Sequence, residues 1–370
     1  MVKIRLAQEL WDEIIDCLAA RPSGVGHLAV LRSASLINRS CVGRAQSYIF
    51  YSISLGVGQS AETVAARLRL LMTLSPHLIQ YVHKLEIQGG GIQVWAAIAA
   101  IPWSHVDQLI LNRVGGSSII IERIGVLAGL RSLRSLILRS IVEWEVSDYS
   151  DVIRRATGVR KITFVQCGIH RPKTPWARDG TVARPTYLGL SPASPILSLL
   201  FLAEFPVDLS QLAHIHCTGF TDPRINTFLR RISGTVTRIS VNGRDQVLTA
   251  FDVTALPLLT QLDVFDAHQP FNRLLSSLPK KNRISVITLI TYGLMYDARE
   301  LESLLLGGTL PNLQNVNVQV LERPPEIEAR NPTPPRSKTM RDCQVAFPRL
   351  YSMGLLSVEF VSYYEQPLIL

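Results

Sequence analysis

The sequence predicts an α/β protein: a small helical domain over residues 1–55, then a solenoid of strand–helix repeats with a parallel sheet over 56–370. Two observations carry this expectation. Residues 6–18 place apolar side chains at the helical period of about 3.6. From Val82 onward the pattern apolar-x-x-apolar-x-apolar returns at near-regular intervals, with helical stretches between its copies.

The first element reads Leu6-Ala7-Gln8-Glu9-Leu10-Trp11-Asp12-Glu13-Ile14-Ile15-Asp16-Cys17-Leu18. Leu6, Leu10 and Ile14 recur every fourth residue, and Trp11, Ile15 and Leu18 widen the same apolar face. Glu9, Asp12, Glu13 and Asp16 take the other side, and acids early in a helix suit the positive end of its dipole. Arg21-Pro22-Ser23-Gly24 ends the helix, because proline and glycine continue one only at a cost. A second helix is expected over roughly 27–40 and a third over 42–50. Three short helices bury little surface by themselves, so their apolar residues need the rest of the chain or a partner to cover them.

The run Leu-x-x-Glu-Leu-x-x-x-Ile-Ile-x-x-Leu, followed by Ser35-Leu36-Ile37-Asn38-Arg39-Ser40 and Ala45-Gln46-Ser47-Tyr48-Ile49-Phe50, resembles an F-box. It is most similar to the degenerate F-boxes abundant in mushroom-forming fungi. The resemblance implies docking on a Skp-type adaptor, which links such a protein to the cullin scaffold of a ubiquitin ligase. Carried over by position, Leu6, Leu10, Ile14, Ile15 and Leu18 would face the adaptor, with Leu36 and Ile37 from the second helix. Ala7 and Cys41 depart from the family pattern, which has proline and tryptophan at those places. The alternative is a plain cap, whose apolar face is buried against the next domain.

The repeat reads Val82-Leu85-Ile87, Val106-Leu109-Leu111, Leu133-Leu136-Leu138, Val159-Ile162-Phe164 and Pro185-Leu188-Leu190. It continues as Leu212-Ile215-Cys217, Val236-Ile239-Val241, Leu259-Leu262-Val264, Ile284-Ile287-Leu289, Leu313-Val316-Val318 and Leu350-Met353-Leu355. Successive central residues stand 24, 27, 26, 26, 27, 24, 23, 25, 29 and 37 positions apart, a spacing that resembles leucine-rich repeats. The centre and the residue two later share one face of a strand. Helical stretches at 61–74, 94–101, 148–156, 223–232 and 299–306 separate the copies. Strand, helix and strand in one direction require a parallel sheet with right-handed crossovers, and stacking buries each unit's apolar face against its neighbours. The usual asparagine ladder is missing: Gly90, Val114, Ile141, Cys167 and Ala193 stand five residues after their centres.

In such a solenoid the alternate strand residues look out from a concave face. Those positions include Lys84, Glu86, Arg139, Lys161, His214, His216 and Arg238, then Asp263, Asn315 and Asn317. Of these, Arg139, Lys161, His214, His216 and Arg238 are the expected client contacts. Two insertions break the rhythm. Residues 168–185 carry Arg171, Lys173, Arg178 and Arg184 with a single acid, Asp179. Residues 322–342 are proline-rich and read as extended or disordered. Each is either a solvated loop or a trap for an acidic or phosphorylated segment, since arginine forks bind phosphate oxygens in pairs.

Candidate chemistry is sparse. Gly56-Val57-Gly58-Gln59-Ser60-Ala61 follows a possible strand at 52–55 and precedes a helix, as a dinucleotide fingerprint requires. No acid ends a strand about 20 residues later, as that fingerprint also requires, and a glycine-rich link is the plainer reading. His214 and His216 share one strand face, without a recognisable third metal ligand. Asp107 lies near His105 with no partnered nucleophile. No catalytic residue, cofactor or metal is expected.

The composition agrees with a globular protein, at 47% apolar and 18% charged residues. Its formal charge of +9 suits acidic partners, yet no recognition helix or aromatic platform accompanies the basic residues, so nucleic acid is not favoured. The five scattered cysteines contain no Cys-x-x-Cys pair, which indicates neither zinc nor a disulfide framework. No signal peptide is expected at the N-terminus, and the apolar run 196–203 is far short of the ~20 residues that span a bilayer. A soluble, cytoplasmic or nuclear substrate receptor of a ubiquitin ligase is the reading these features and the resemblance jointly imply. The alternative is a leucine-rich-repeat-like scaffold that never meets a ligase.

Overall fold

A computed structural model of the protein describes residues 8–19, 27–37, 39–56, 61–170, 182–191, 195–202, 205–218, 224–242, 252–265, 267, 269–291, 298–322 and 336–362. They divide into two compact units. The described residues up to Val159, with His170, Val182 and Ala183, form one; 160–169 and those from Arg184 onward form the other.

The first unit opens with α1 (Gln8–Ala19), α2 (His27–Ile37) and α3 (Arg39–Ile49). The helical segments expected over 27–40 and 42–50 divide earlier, between Ile37 and Arg39. The chain then alternates β1 (Ser52–Leu55), α4 (Ala61–Leu74), β2 (Lys84–Gln88), α5 (Ile92–Ala99), β3 (Gln108–Asn112), α6 (Ser118–Ala128), β4 (Ser135–Arg139) and α7 (Val146–Arg155). Strands β1 to β4 pair in parallel and in chain order, with Ile53, Leu85, Leu109 and Leu136 side by side. The sheet therefore begins at Ser52, one strand before the first recognisable repeat.

The second unit runs β5 (Lys161–Val165), β6 (Tyr187–Leu190), α8 (Ile196–Leu200), β7 (His214–Cys217), α9 (Ile225–Arg231), β8 (Arg238–Asn242) and β9 (Gln261–Phe265). It continues α10 (Gln269–Ser277), β10 (Val286–Thr291), α11 (Ala298–Leu306), β11 (Asn315–Glu322), α12 (Arg336–Ala346), α13 (Pro348–Ser352) and β12 (Leu356–Ser362). Strands β5 to β12 again pair in parallel and in chain order. Both units are thus solenoid-like α/β repeats, because each strand pairs only with its neighbours in sequence. The predicted centres from Leu85 to Val316 are buried.

The last copy corrects the expectation. Val316 pairs with Leu356, not Met353, and Met353 is exposed. The triplet Leu350-Met353-Leu355 mimics the pattern, but Leu350 is spent in α13 and the strand starts at Leu356, three residues after the expected centre Met353. Part of the second insertion is also not extended: Arg336–Asp342 open α12, while 323–335 lie outside the described residues. Of the first insertion, 171–181 lie outside as well, and Arg184 Nε donates to Asp208 at 3.1 Å.

In place of asparagines, the stack is tied by a main-chain ladder at the strand entries. The carbonyl of Tyr51 receives the N–H groups of His83 and Lys84, and that of His83 those of Asp107 and Gln108. The same fork recurs from Arg160 through Thr186, Ala213, Thr237, Thr260 and Ser285. At the strand exits, Gly89, Arg113, Ser140 and Gln166 all have φ between 52° and 62°. This left-handed residue four after each centre turns the chain out of the sheet. The apolar residues that follow leave carbonyls for other donors: Trp144 Nε1 donates to Val114 O at 3.0 Å, and Tyr149 Oη to Ile141 O at 3.4 Å. Buried aromatic donors do the work of the missing amides. Among the described residues no helix is long and apolar enough to cross a membrane.

Candidate functional site

Two surfaces carry the sequence-predicted residues. On the N-terminal helices, Ile15, Leu31, Ala34, Cys41 and Ala45 form a shared core, with Trp11 and Leu18 packed against it. Ile15 and Leu18, expected to face outward, instead face inward. The reason is the two-sided amphipathicity of α1: Trp11, Ile15 and Leu18 lie along one stripe, and Leu10 and Ile14 along the next. Leu10 and Ile14 are exposed, as are Leu28 and Val30, and Leu36 stands out at 86% exposure. Leu6 lies outside the described residues, and Ile37 closes α2 without a described side chain. Cys41, where the resembling pattern has tryptophan, is a core residue.

Asp16 fixes α1 to α3. Its carboxylate accepts both Arg44 Nε at 2.7 Å and Nη2 at 2.8 Å, and the Tyr48 hydroxyl at 3.0 Å. The Arg44 hydrogen bonds hold the Asp16 carboxyl below its ordinary range. This fork bridges the exposed faces of α1 and α3 above their shared core.

The second surface is the open face of strands β5 to β9. Register places Lys161, Tyr187, His214, Arg238 and Gln261 in one row and Gly189, His216, Ser240 and Asp263 in the next. Arg139 belongs to β4 in the first unit, so the structure gathers Lys161, His214, His216 and Arg238 in the second unit without it. Asp263 is the hub. It is 1% exposed and accepts Arg238 Nε at 2.6 Å, Ser240 Oγ at 2.8 Å and Gln261 Nε2 at 3.0 Å. His214 Nε2 lies 2.7 Å from Ser240 Oγ. Ser240 gives its single proton to Asp263, so His214 must be the donor there. The order is histidine to serine to carboxylate, the reverse of a nucleophile activated by its base. Tyr187 sets its edge against His214 at 4.7 Å, and Lys161 Nζ lies 5.9 Å from the Tyr187 ring.

Burial keeps both imidazoles neutral. His214 is pushed down to about 3, by burial first and by the Arg238 cation next; His216 is pushed down to about 4 by burial. Burial also pushes the Tyr187 hydroxyl up. Tyr187 Oη and His216 Nε2 have no hydrogen-bond partner among the described residues. His216 instead packs edge-on to Phe265 at 5.4 Å. Among the described residues no group of three His, Cys, Asp or Glu side chains is placed to hold a metal.

A pH dependence follows, with its sign fixed by the direction of the shift. An unfolded chain protonates His216 near 6.5, while the folded chain resists until about 4. Between those values the unfolded state binds the extra proton, so stability falls as pH drops and is fully present above the window. The contribution is about 3 kcal/mol. His216→Phe should flatten the urea-midpoint profile between pH 7 and 4.5, leaving a residual slope from His214. A variant as acid-sensitive as the wild type would exclude His216 as the source.

Sequence reading missed Tyr187, Ser240 and Gln261 as members of this network. The signal was present, because the positions flanking each centre face outward in every copy. Gly56 also has a structural role. It ends β1 at φ +93°, and a Cβ there would stand 2.1 Å from the Gln88 carbonyl oxygen. Gly58 lies outside the described residues. Comparison with protein-family models and with curated proteins found no match to this chain.

Proposed function

We propose that the protein is the substrate-recognition subunit of a cullin-based ubiquitin ligase, in which α1 and α2 bind a Skp-type adaptor and the open strand face binds a protein client. The observation that carries this reading is the exposed apolar set Leu10, Ile14, Leu28, Val30 and Leu36 on helices that already possess a core of their own. Leu10 and Ile14, one helical turn apart on α1, offer a partner an apolar stripe that this small core does not use. The contribution to ubiquitin transfer is proximity, holding a client lysine near the charged transfer enzyme.

A non-ligase scaffold is the second reading. It is favoured by the inward placement of Ile15 and Leu18, which removes two adaptor contacts from the expected set. Co-purification with a fungal Skp-type adaptor separates the two. Leu10→Asp/Ile14→Asp should lose the complex by at least ~10-fold, since each exposed half side chain contributes about 1 kcal/mol on burial, and should melt like the wild type. Ile15→Asp should unfold the three helices. Absence of binding by the wild-type chain sinks the receptor reading and leaves the scaffold.

A further inference from the structure

The cationic residues of the open strand face are placed in different ways. Arg238 is spent on Asp263, and Lys161 lies against the Tyr187 ring. Arg139, in the first unit, has neither kind of partner. It is half-buried on β4, and its Nε–H is enclosed with no acceptor among the described residues. Its neighbour in register on β3 is Asn112, also half-buried, whose Oδ1 is enclosed with no donor. Neighbouring strands stand about 4.8 Å apart, so an unused donor and an unused acceptor lie side by side without bonding to each other. Enclosed polar groups of this kind cost stability, and a fold that keeps two together has a use for them.

The surroundings supply no counter-ion. Ile110 and Ile137, two residues earlier on the same face, are 6% and 4% exposed. Among the described residues of β1 to β4, that face carries two cations, Lys84 and Arg139, and one acid, Glu86. Glu86 stands two strands from Arg139 and accepts the Ser54 hydroxyl at 3.3 Å.

We propose that Asn112 and Arg139 together read one acidic residue of an extended client peptide. The inference rests on the open strand face being a client surface, and it holds whether or not the client is passed to a ligase. An aspartate or glutamate residue carries both missing partners: a main-chain N–H for Asn112 Oδ1 and a carboxylate for the Arg139 guanidinium. A simple anion such as phosphate would serve Arg139 alone. Rotation about the side-chain torsions brings both half-buried groups to the surface, so their hydrogen bonds are made on binding. The one to Arg139 is charge-assisted and therefore the stronger.

A randomised library of nonapeptides, passed over the immobilised full chain, tests this. Retained peptides should carry Asp or Glu at one position at least ~10-fold above the input. Arg139→Met keeps the apolar stem and removes the charge. It should lose that preference and melt no lower than the wild type, because the guanidinium makes no bond among the described residues. Inorganic phosphate should not displace the selected peptides. Acids that are not enriched, or an enrichment that survives Arg139→Met, overturn the proposal. Ready displacement by inorganic phosphate overturns it in favour of a simple anion site, and a lower melting temperature overturns it in favour of a structural arginine. Retention of no peptide at all sinks the client surface itself, and this inference with it.

Discussion

Gly56→Ala should lower the melting temperature by roughly 10 °C, a loss of at least about 4 kcal/mol. Two effects add. The residue sits at φ +93°, where an L side chain costs roughly 1–2 kcal/mol. Its new methyl would also lie 2.1 Å from the main-chain oxygen of Gln88, which cannot rotate aside. The β1–β2 pairing at Leu55–Ile87 would have to open to admit it. Gly89→Ala is the internal control: its φ is +62°, and the nearest atom to a Cβ lies 3.9 Å away. Only the backbone term remains there, so the cost should be about 1 kcal/mol. Equal losses for the two variants would show that crowding at Gln88 is not what requires Gly56.

Arg238→Ala should cost about 3–5 kcal/mol, because it strips the cation from a fully buried carboxylate. The pair is lopsided: Asp263 is 1% exposed and Arg238 43%. Asp263→Asn should therefore cost less, about 1–2 kcal/mol, since Arg238 keeps water while Ser240 and Gln261 keep a hydrogen-bonding partner. The double variant Arg238→Ala/Asp263→Asn should be more stable than Arg238→Ala alone, because the charge that lacked a partner is gone. Urea unfolding of the four proteins closes the cycle. A coupling energy near zero would mean that Asp263 is held by its neutral partners and that Arg238 is free to serve a client.

Much of this fold is legible in the linear chain, for a physical reason. A solenoid is stabilised by contacts between units adjacent in sequence, so local patterns report the tertiary arrangement. The triplets from Val82 to Val318 mark ten strands because each must place two apolar side chains on one face, two residues apart. The pattern misleads where another element borrows it. Leu350 satisfies the first position of a triplet from within α13, and only pairing with Val316 reveals that the strand begins at Leu356. Strand β1 stands outside the triplet series: Ser52 and Ser54 alternate with Ile53 and Leu55 over only four residues, enough for a possible strand at 52–55 but not for a recognisable repeat.

The candidate sites divide in the same way. Outward-facing positions can be counted from the centres, and Lys161, His214, His216 and Arg238 stand at such positions. Which of them are consumed by one another depends on rotamers across strands, and no spacing rule carries that. On the N-terminal helices the sequence offers one broad apolar face. Packing splits it, assigning Ile15 and Leu18 to the core and leaving Leu10 and Ile14 outside.

By itself, then, the sequence determined the α/β class, the parallel order of the repeats and the helical start, because each rests on periodicities of a few residues. Only the tertiary structure decided the burial of Asp263 beneath Arg238, the inward turn of Ile15 and the start of β12 at Leu356. Those depend on which side chains meet across strands and helices separated by 16 or more positions. There the balance between pairing and desolvation is set by three-dimensional neighbours that a linear pattern does not specify.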